Sequence, residues 1–237
     1  MNKVLVIIPA FNESQNISQL LTKFRGKEYD ILVINDCSTD NTSSICKSLN
    51  INTIDLPCNL GIGGAVQTGY KYALKNKYDI AVQVDGDGQH DPEQIHSLIL
   101  PILNGDADMV IGSRYINKIG FQSSKLRRLG ITYFSKLIFL LTKTKITDPT
   151  SGFRACNRKA MSVFATKYYP VDYPEPESIV HLIRSNHNVI EIPVTMKERQ
   201  EGVSSITTIK SIYYMIKVSL AIFIDVLRGR VSYEVLS

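Results

Sequence analysis

Short apolar runs alternate with longer amphipathic stretches over the first 115 residues. The runs are Val4–Ile8, Ile31–Ile34, Asn52–Leu56, Ile80–Val84 and Met109–Gly112. As a set they are rich in Val and Ile and not alternating, the pattern of strands buried on both faces of a parallel sheet. Helical patterns lie between them. Ile17, Leu20, Leu21 and Phe24 fall at helical spacing within Asn16–Phe24, Ser38 or Asp40 can cap a helix running to Leu49, and Gly63–Asn76 is a third. Asp91 and Pro92 open a fourth, a capping residue followed by proline at the first helical position. This βαβα order predicts an α/β fold with an open, doubly wound, mostly parallel sheet flanked by helices. Ligands of such sheets bind at the carboxyl ends of the strands. Polar clusters fall there: Pro9–Glu13, Asn35–Asp40, Asn59–Gly64, Asp85–Gln89 and Ser113-Arg114.

Beyond Tyr115 the chain turns basic, with Lys118, Lys125, Arg127, Arg128, Lys136, Lys143 and Lys145. Leu126–Thr142 is an apolar-rich helical pattern, "DPTSGFR" (148–154) a loop, and "YYPVDYPEPE" (168–177) a stretch of Pro and aromatics. Val189–Met196 reads as another strand, and Ile206–Arg228 as a long helix.

The length of 237 residues, 44% hydrophobic and 21% charged, suits a globular protein. Lys and Arg number 27 and Asp and Glu 22, a net +5 that fits an anionic substrate or a membrane surface but is too small to indicate nucleic acid. Cys37, Cys46, Cys58 and Cys156 show no CxxC spacing. "MNKVLVIIPAFNE" lacks a long apolar core and a small-residue cleavage site, so no signal peptide and free thiols in a reducing cytoplasm are expected. No uncharged apolar stretch of about 18 residues predicts a spanning helix.

Within "VDGDGQHDPE" (84–93), Asp85 and Asp87 stand two residues apart where a strand ends. Residues i and i+2 of an extended segment point the same way. Two carboxylates on one side, with Gly86 and Gly88 easing the backbone and Gln89 offering an amide oxygen, make a hard-oxygen site for Mg²⁺ or Mn²⁺. A solvated turn is the plain alternative.

"IPAFNE", "INDCSTDNT", "NLGIGGAVQTG", "DGDGQHDPE", "GSRY" and "DPTSGFR" occur in this order, and over residues 3–205 the chain resembles the family-2 glycosyltransferases of GT-A fold. Within these it is most similar to the dolichyl- or polyprenyl-phosphate sugar synthase group. The resemblance implies a nucleoside pocket lined by Pro9, Phe11, Asn12 and Glu13, with Asp36 on the base edge and Gly63 and Gly64 letting the backbone approach the nucleotide. It implies a metal on Asp85, Asp87 and Gln89, and phosphate neutralisation by Arg114 and Arg199, with Arg127, Arg128 and Ser204 on the acceptor side. An acid is expected in the acceptor segment, Glu177 first and Glu175 second, while Asp148 orders the acceptor loop. Two positions depart from the family's pattern: Asn35 stands where an Asp is common and Cys37 where Gly is common.

Plainer readings exist for several of these. Glu13 can cap a helix, Arg114 can form a surface ion pair, Glu175 and Glu177 can be solvated, His90 can be structural, and Lys210 and Lys217 can be helix surface. The "GIGGAVQTG" glycines suggest a dinucleotide loop, but that motif belongs after the first strand and here follows the third.

The chemistry implied is inverting transfer of a sugar from a nucleotide-sugar. An ionised phosphate acceptor needs no general base, whereas a sugar hydroxyl does, with Glu177 the candidate. On a helical wheel Thr207, Lys210, Tyr214, Lys217, Ala221, Asp225 and Arg228 share one narrow face and apolar residues cover the rest. Such a helix suits the plane of a membrane, and Leu126–Thr142 is similar. The alternative is packing on the domain or on a dimer partner. The organisation expected is a GT-A domain over 1–205, with a nucleotide-sugar half (1–115) and an acceptor half (116–205), and an amphipathic helical tail over 206–237. The partners expected are a nucleotide-sugar donor, a lipid-linked acceptor, and a membrane surface or small membrane protein on the inner face of the cell membrane; a homo-oligomer is open. A non-catalytic docking subunit is the reading from a different class.

Overall fold

The structure, a computed structural model, describes residues 2–166, 169–198 and 208–227. Seven strands form one sheet in the order β3-β2-β1-β4-β6-β5-β7. They are β1 (Val4–Ala10), β2 (Asp30–Asn35), β3 (Asn52–Asp55), β4 (Ile80–Gln83), β5 (Met109–Ser113), β6 (Arg154–Asn157) and β7 (Val189–Pro193). All pairings are parallel except those of β6, which runs antiparallel to both β4 and β5.

Both faces of the sheet are covered, which is why its strands carry apolar runs. Leu5 and Ile7 of β1 point into one core layer and Val4, Val6 and Ile8 into the other. The second layer holds α1 (Ile17–Thr22), α2 (Thr42–Ser48) and α4 (Ile95–Leu103). The first holds α3 (Gly61–Lys75), α5 (Lys125–Thr142), α6 (Arg158–Phe164), α7 (Pro174–Arg184) and α8 (Thr208–Leu227). Gly69 lets α3 lie on β1: a Cβ there would stand 2.4 Å from Ile7 Cγ2.

β1 to β5 lie within two residues of their sequence-expected bounds, while β7 starts at Val189 as expected and ends at Pro193, three residues before Met196. Asp91 accepts from the Glu93 amide and opens a short 3₁₀ turn (Pro92–Gln94) before α4. The helix after β2 starts at Asn41, with Asp40 Oδ1 accepting from the Thr42 amide and hydroxyl.

Three elements differ from the sequence expectation. "RACN" pairs as β6, α6 follows it directly, and "PEPES" is the first turn of α7 rather than a loop. Pro174 occupies the first helical position, where its missing N–H costs nothing. On the polar face of α8, Asp225 packs against the domain while Lys217 stays at the surface. Asp225 meets His181 Nδ1 at 2.9 Å, and Lys217 pairs with Asp172. Val218 and Ile222 are buried. Exposed instead are Ile216, Leu220, Phe223 and Leu227. On neighbouring α5 the exposed apolar residues include Leu129, Tyr133 and Leu140; Tyr133 Oη lies 2.9 Å from Ser219 Oγ. Among the described residues, no helix is long and apolar enough to cross a membrane.

Candidate active site

Strand order reverses between β1 and β4: from β1 the chain winds outward to β2 and β3, then returns through α3 to β4. A crevice opens at such a switch point. Here it is a cleft of about 990 Å³. Pro9, Phe11 and Glu13 after β1, Asp36 after β2, Asp85, Asp87 and Gln89 after β4, and Arg114 after β5 all line it.

At the β2–β3 end of the cleft, Asp36 is buried and its Oδ1 accepts from the Leu60 amide at 2.7 Å. Burial pushes its carboxyl above the usual range, against the pull of the Leu60 and Gly61 amides. Asn35 donates to Asp55 Oδ1 at 2.8 Å, joining the ends of β2 and β3. The Glu13 carbonyl accepts from the Asn16 and Ile17 amides and starts α1, while its side chain faces the cleft. Asn12 lies outside the lining; its Oδ1 takes the Thr39 amide at 2.8 Å. The glycines of α3 also serve a different contact from the one expected. A Cβ on Gly63 would stand 2.0 Å from the Pro170 carbonyl, and one on Gly64 2.5 Å from Leu60 Cβ. They admit protein rather than nucleotide, and Gly61 and Ile62 reach the cleft instead.

The carboxylate pair is held from behind. Asp85 Oδ1 accepts from Gln83 Nε2 at 3.0 Å, and Asp87 Oδ1 from the Gln89 amide at 3.1 Å. His90 is buried, stacks on Phe153 at 4.9 Å, and accepts the Asp85 amide on Nδ1 at 3.0 Å. Its neutral form therefore carries the proton on Nε2, 3.8 Å from Asp85 Oδ2. That is a structural role. In front of Asp85 lies Gly152, where a Cβ would come within 2.7 Å of Oδ2. Glycine thus keeps the face of the carboxylate open. Among the described residues no group of three or more His, Cys, Asp or Glu side chains could hold a metal. Two carboxylates and an amide fit a hard cation that takes its remaining oxygens from a ligand.

On the β5 side of the cleft, Arg114 is clamped by fully buried Asp148: Nε to Oδ2 at 2.7 Å and Nη2 to Oδ1 at 2.8 Å. Glu191 in turn accepts the Thr147 and Asp148 amides at 2.6 and 2.7 Å. Arg114 is therefore a fixed, partly neutralised charge. Arg127 reaches the cleft; Arg128 sits over the Tyr115 ring, outside the lining. Glu175 faces the cleft, and Glu177 faces a small separate pocket with His181. Burial raises the Glu175 carboxyl to about 6; Arg154 pulls it down and Asp85 pushes it up. Arg154 is absent from the sequence-derived set. It is buried, and bonds the Ser151 and Pro149 carbonyls and Ser178 Oγ, tying "DPTSGFR" to α7. Arg199 and Ser204 lie outside the described residues.

Compared with known proteins, residues 5–164 match the family described as Glycosyl transferase family 2. The chain belongs to that family. This family-2 glycosyltransferase is 32% identical over 211 residues to a UDP-N-acetylglucosamine–dolichyl-phosphate N-acetylglucosaminyltransferase of Methanococcus voltae, covering 81% of this chain and 84% of the relative. It is 29% identical over 220 residues to a polyprenol monophosphomannose synthase of Mycolicibacterium smegmatis, covering 86% and 81%. Among solved structures, glucosyl-3-phosphoglycerate synthase from Mycobacterium tuberculosis, in complex with Mn²⁺, UDP-glucose and phosphoglyceric acid, superposes with a TM-score of 0.72 at 17% identity, over 94% of this chain and 79% of that one. The fold is GT-A-like.

Proposed function

We propose that this glycosyltransferase moves a sugar, with inversion and with Mg²⁺ or Mn²⁺, from a nucleotide-sugar to a lipid-linked acceptor, a polyprenyl phosphate or lipid-linked saccharide. The observation that carries the reading is the convergence of Asp85, Asp87, Arg114 and Arg127 on one cleft whose wall includes Leu129, Ile131 and Met215 of α5 and α8. Charge for a diphosphate and apolar surface for a lipid meet there. The relatives named for dolichyl and polyprenol phosphates support the acceptor class. The solved neighbour that holds Mn²⁺ with UDP-glucose supports the metal and the donor class.

Asp85 and Asp87 would hold the metal with Gln89, and the bound ion would neutralise charge on the leaving diphosphate. Arg114, fixed by Asp148, supplies a preorganised positive charge at the same place. Asp36 and the Asn59–Ile62 segment would take the nucleoside. Arg127 would meet the acceptor phosphate, which attacks as an anion without a base. The outward apolar stripes of α5 and α8, flanked by exposed Arg128, Lys136 and Lys143, suit peripheral docking on an anionic bilayer at the inner face of the membrane.

One observation favours a second acceptor class. Glu175 faces the cleft with its carboxyl raised to about 6, which suits a general base for a sugar hydroxyl.

Nucleotide release from UDP-, GDP- and dTDP-sugars, with Mg²⁺ or Mn²⁺ and with or without a short polyprenyl phosphate, tests both readings. Release that requires the lipid phosphate, falls at least about 100-fold in Asp87→Ala and survives Glu175→Gln is the expected result. Release stimulated only by a glycan, and lost in Glu175→Gln, establishes the second. No release and no nucleotide binding leaves only a docking role.

A further inference from the structure

Cys46 and Cys156 are buried, whereas Cys37 is half-buried and Cys58 exposed. The two accessible thiols flank the donor end of the cleft. Cys37 follows Asp36 at the end of β2, and Cys58 precedes Asn59 and Leu60 after β3. Parallel pairing continues past the strands: Asn35 stands opposite Asp55, and the Leu56 amide donates to the Asn35 carbonyl at 2.9 Å. Cys37 Sγ lies 4.0 Å from the Pro57 carbonyl, which is one peptide unit from Cys58. The same two loops are joined at Asp36, whose Oδ1 takes the Leu60 amide and whose carbonyl takes Asn59 Nδ2 at 3.3 Å. Cys37 also holds a left-handed backbone, φ 60°, a conformation glycine enters freely.

We propose that Cys37 and Cys58 form a reversible disulfide that weakens nucleotide binding, an oxidant-responsive site at the base pocket. This rests on the donor reading above. A disulfide needs Cα atoms about 4.4–6.8 Å apart, so closing it requires the loop after β3 to move toward Cys37. A peroxide is the oxidant: one thiolate attacks it, becomes a sulfenic acid and releases hydroxide. The second thiolate displaces hydroxide from that sulfur, the S–S bond forms, and two waters result overall once protons are counted. Closing the bond draws residues 58–60 toward β2 and displaces Asn59 and Gly61, both of which line the cleft. Intracellular disulfides that form and break in this way are typically redox sensors.

The test uses the full chain, reduced, then treated with hydrogen peroxide, then returned to dithiothreitol. A non-reducing peptide map reads the bond, and calorimetric titration with UDP and GDP reads the pocket. A linked Cys37–Cys58 peptide, an affinity about tenfold weaker that dithiothreitol restores, and a Cys58→Ser variant whose affinity ignores peroxide are the expected results. Absence of the linked peptide, or a linked protein with unchanged affinity, overturns the proposal. A reduced wild type that binds neither nucleotide overturns the donor reading and the coupling built on it, while the map still decides whether the bond forms.

Discussion

At Glu175, burial holds a proton that a solvated glutamate would have released, so its raised value of about 6 is also a statement about stability. A carboxyl whose folded pKa lies above its unfolded one contributes stability that is full below about pH 4.5 and is lost as pH rises through 6. Glu175→Gln should therefore raise the unfolding free energy read from urea titration at pH 7.5, by about 1 kcal/mol once partial solvent contact is allowed for. The gain should vanish by pH 4.5. Gly63 makes the opposite kind of prediction. A Cβ 2.0 Å from one backbone carbonyl and 2.4 Å from the next has nothing flexible to displace, so Gly63→Ala should cost about 2–3 kcal/mol in chemical denaturation. Gly88, at φ 76° with nothing within 4 Å, should cost only about 1 kcal/mol as Ala. These residues also show what the sequence exposes at this scale. Asp85 and Asp87 both reach the cleft, although Gly86 and Asp87 form a turn rather than the extended segment that their spacing suggests. The sequence ranks Glu177 ahead of Glu175, but once "PEPES" is helical, residues two apart diverge by roughly 200°, and it is Glu175 that faces the cleft. A glycine announces a close approach without saying what approaches, so Gly63 and Gly64 could be assigned to nucleotide as readily as to Pro170 and Leu60.

Elements were legible where the chain itself carries an apolar run or a capping signal, whatever their burial: β3 is half-exposed and was found, β6 is buried and was not. The parallel strands announce themselves through apolar runs, and the Asp91-Pro92 start through capping chemistry. β6 did not, since "RACN" is four residues long and begins with a charge whose partners, Ser151, Pro149 and Ser178, are near only in the folded state. α7 was masked by prolines that read as loop signals unless their place in the first turn is known. The loop between α5 and β6 carries a buried ion pair beside its bonds to Glu191 and Arg154. Asp148→Asn removes the counter-charge from largely buried Arg114, and should cost about 3 kcal/mol in thermal or denaturant unfolding. It should lower nucleotide release as well, because Arg114 would no longer be held at the cleft. Arg114→Lys should lose the two-point clamp and behave similarly in kind.

For the molecule as a whole, the two helices that wall the cleft also carry exposed apolar residues, so surface and site are linked through α5 and α8. Leu220→Glu combined with Phe223→Glu should reduce co-flotation with anionic vesicles severalfold. It should leave the unfolding free energy within about 1 kcal/mol of wild type, because both side chains are already exposed. Periodicity showed that α8 is amphipathic, but which stripe meets the protein is decided by His181, Arg184 and Asp172, which lie far from it in sequence. The antiparallel strand has a consequence for how the chain is born. β5 ends at Ser113, yet it reaches the rest of the sheet only through β6, which begins at Arg154. At roughly 5–20 residues per second of synthesis, the ribosome leaves β4 with a bare edge and β5 unattached for some seconds, until the later half supplies the strand between them. A nascent chain stalled at residue 115 should be cut readily by protease, and one released beyond β7 should resist.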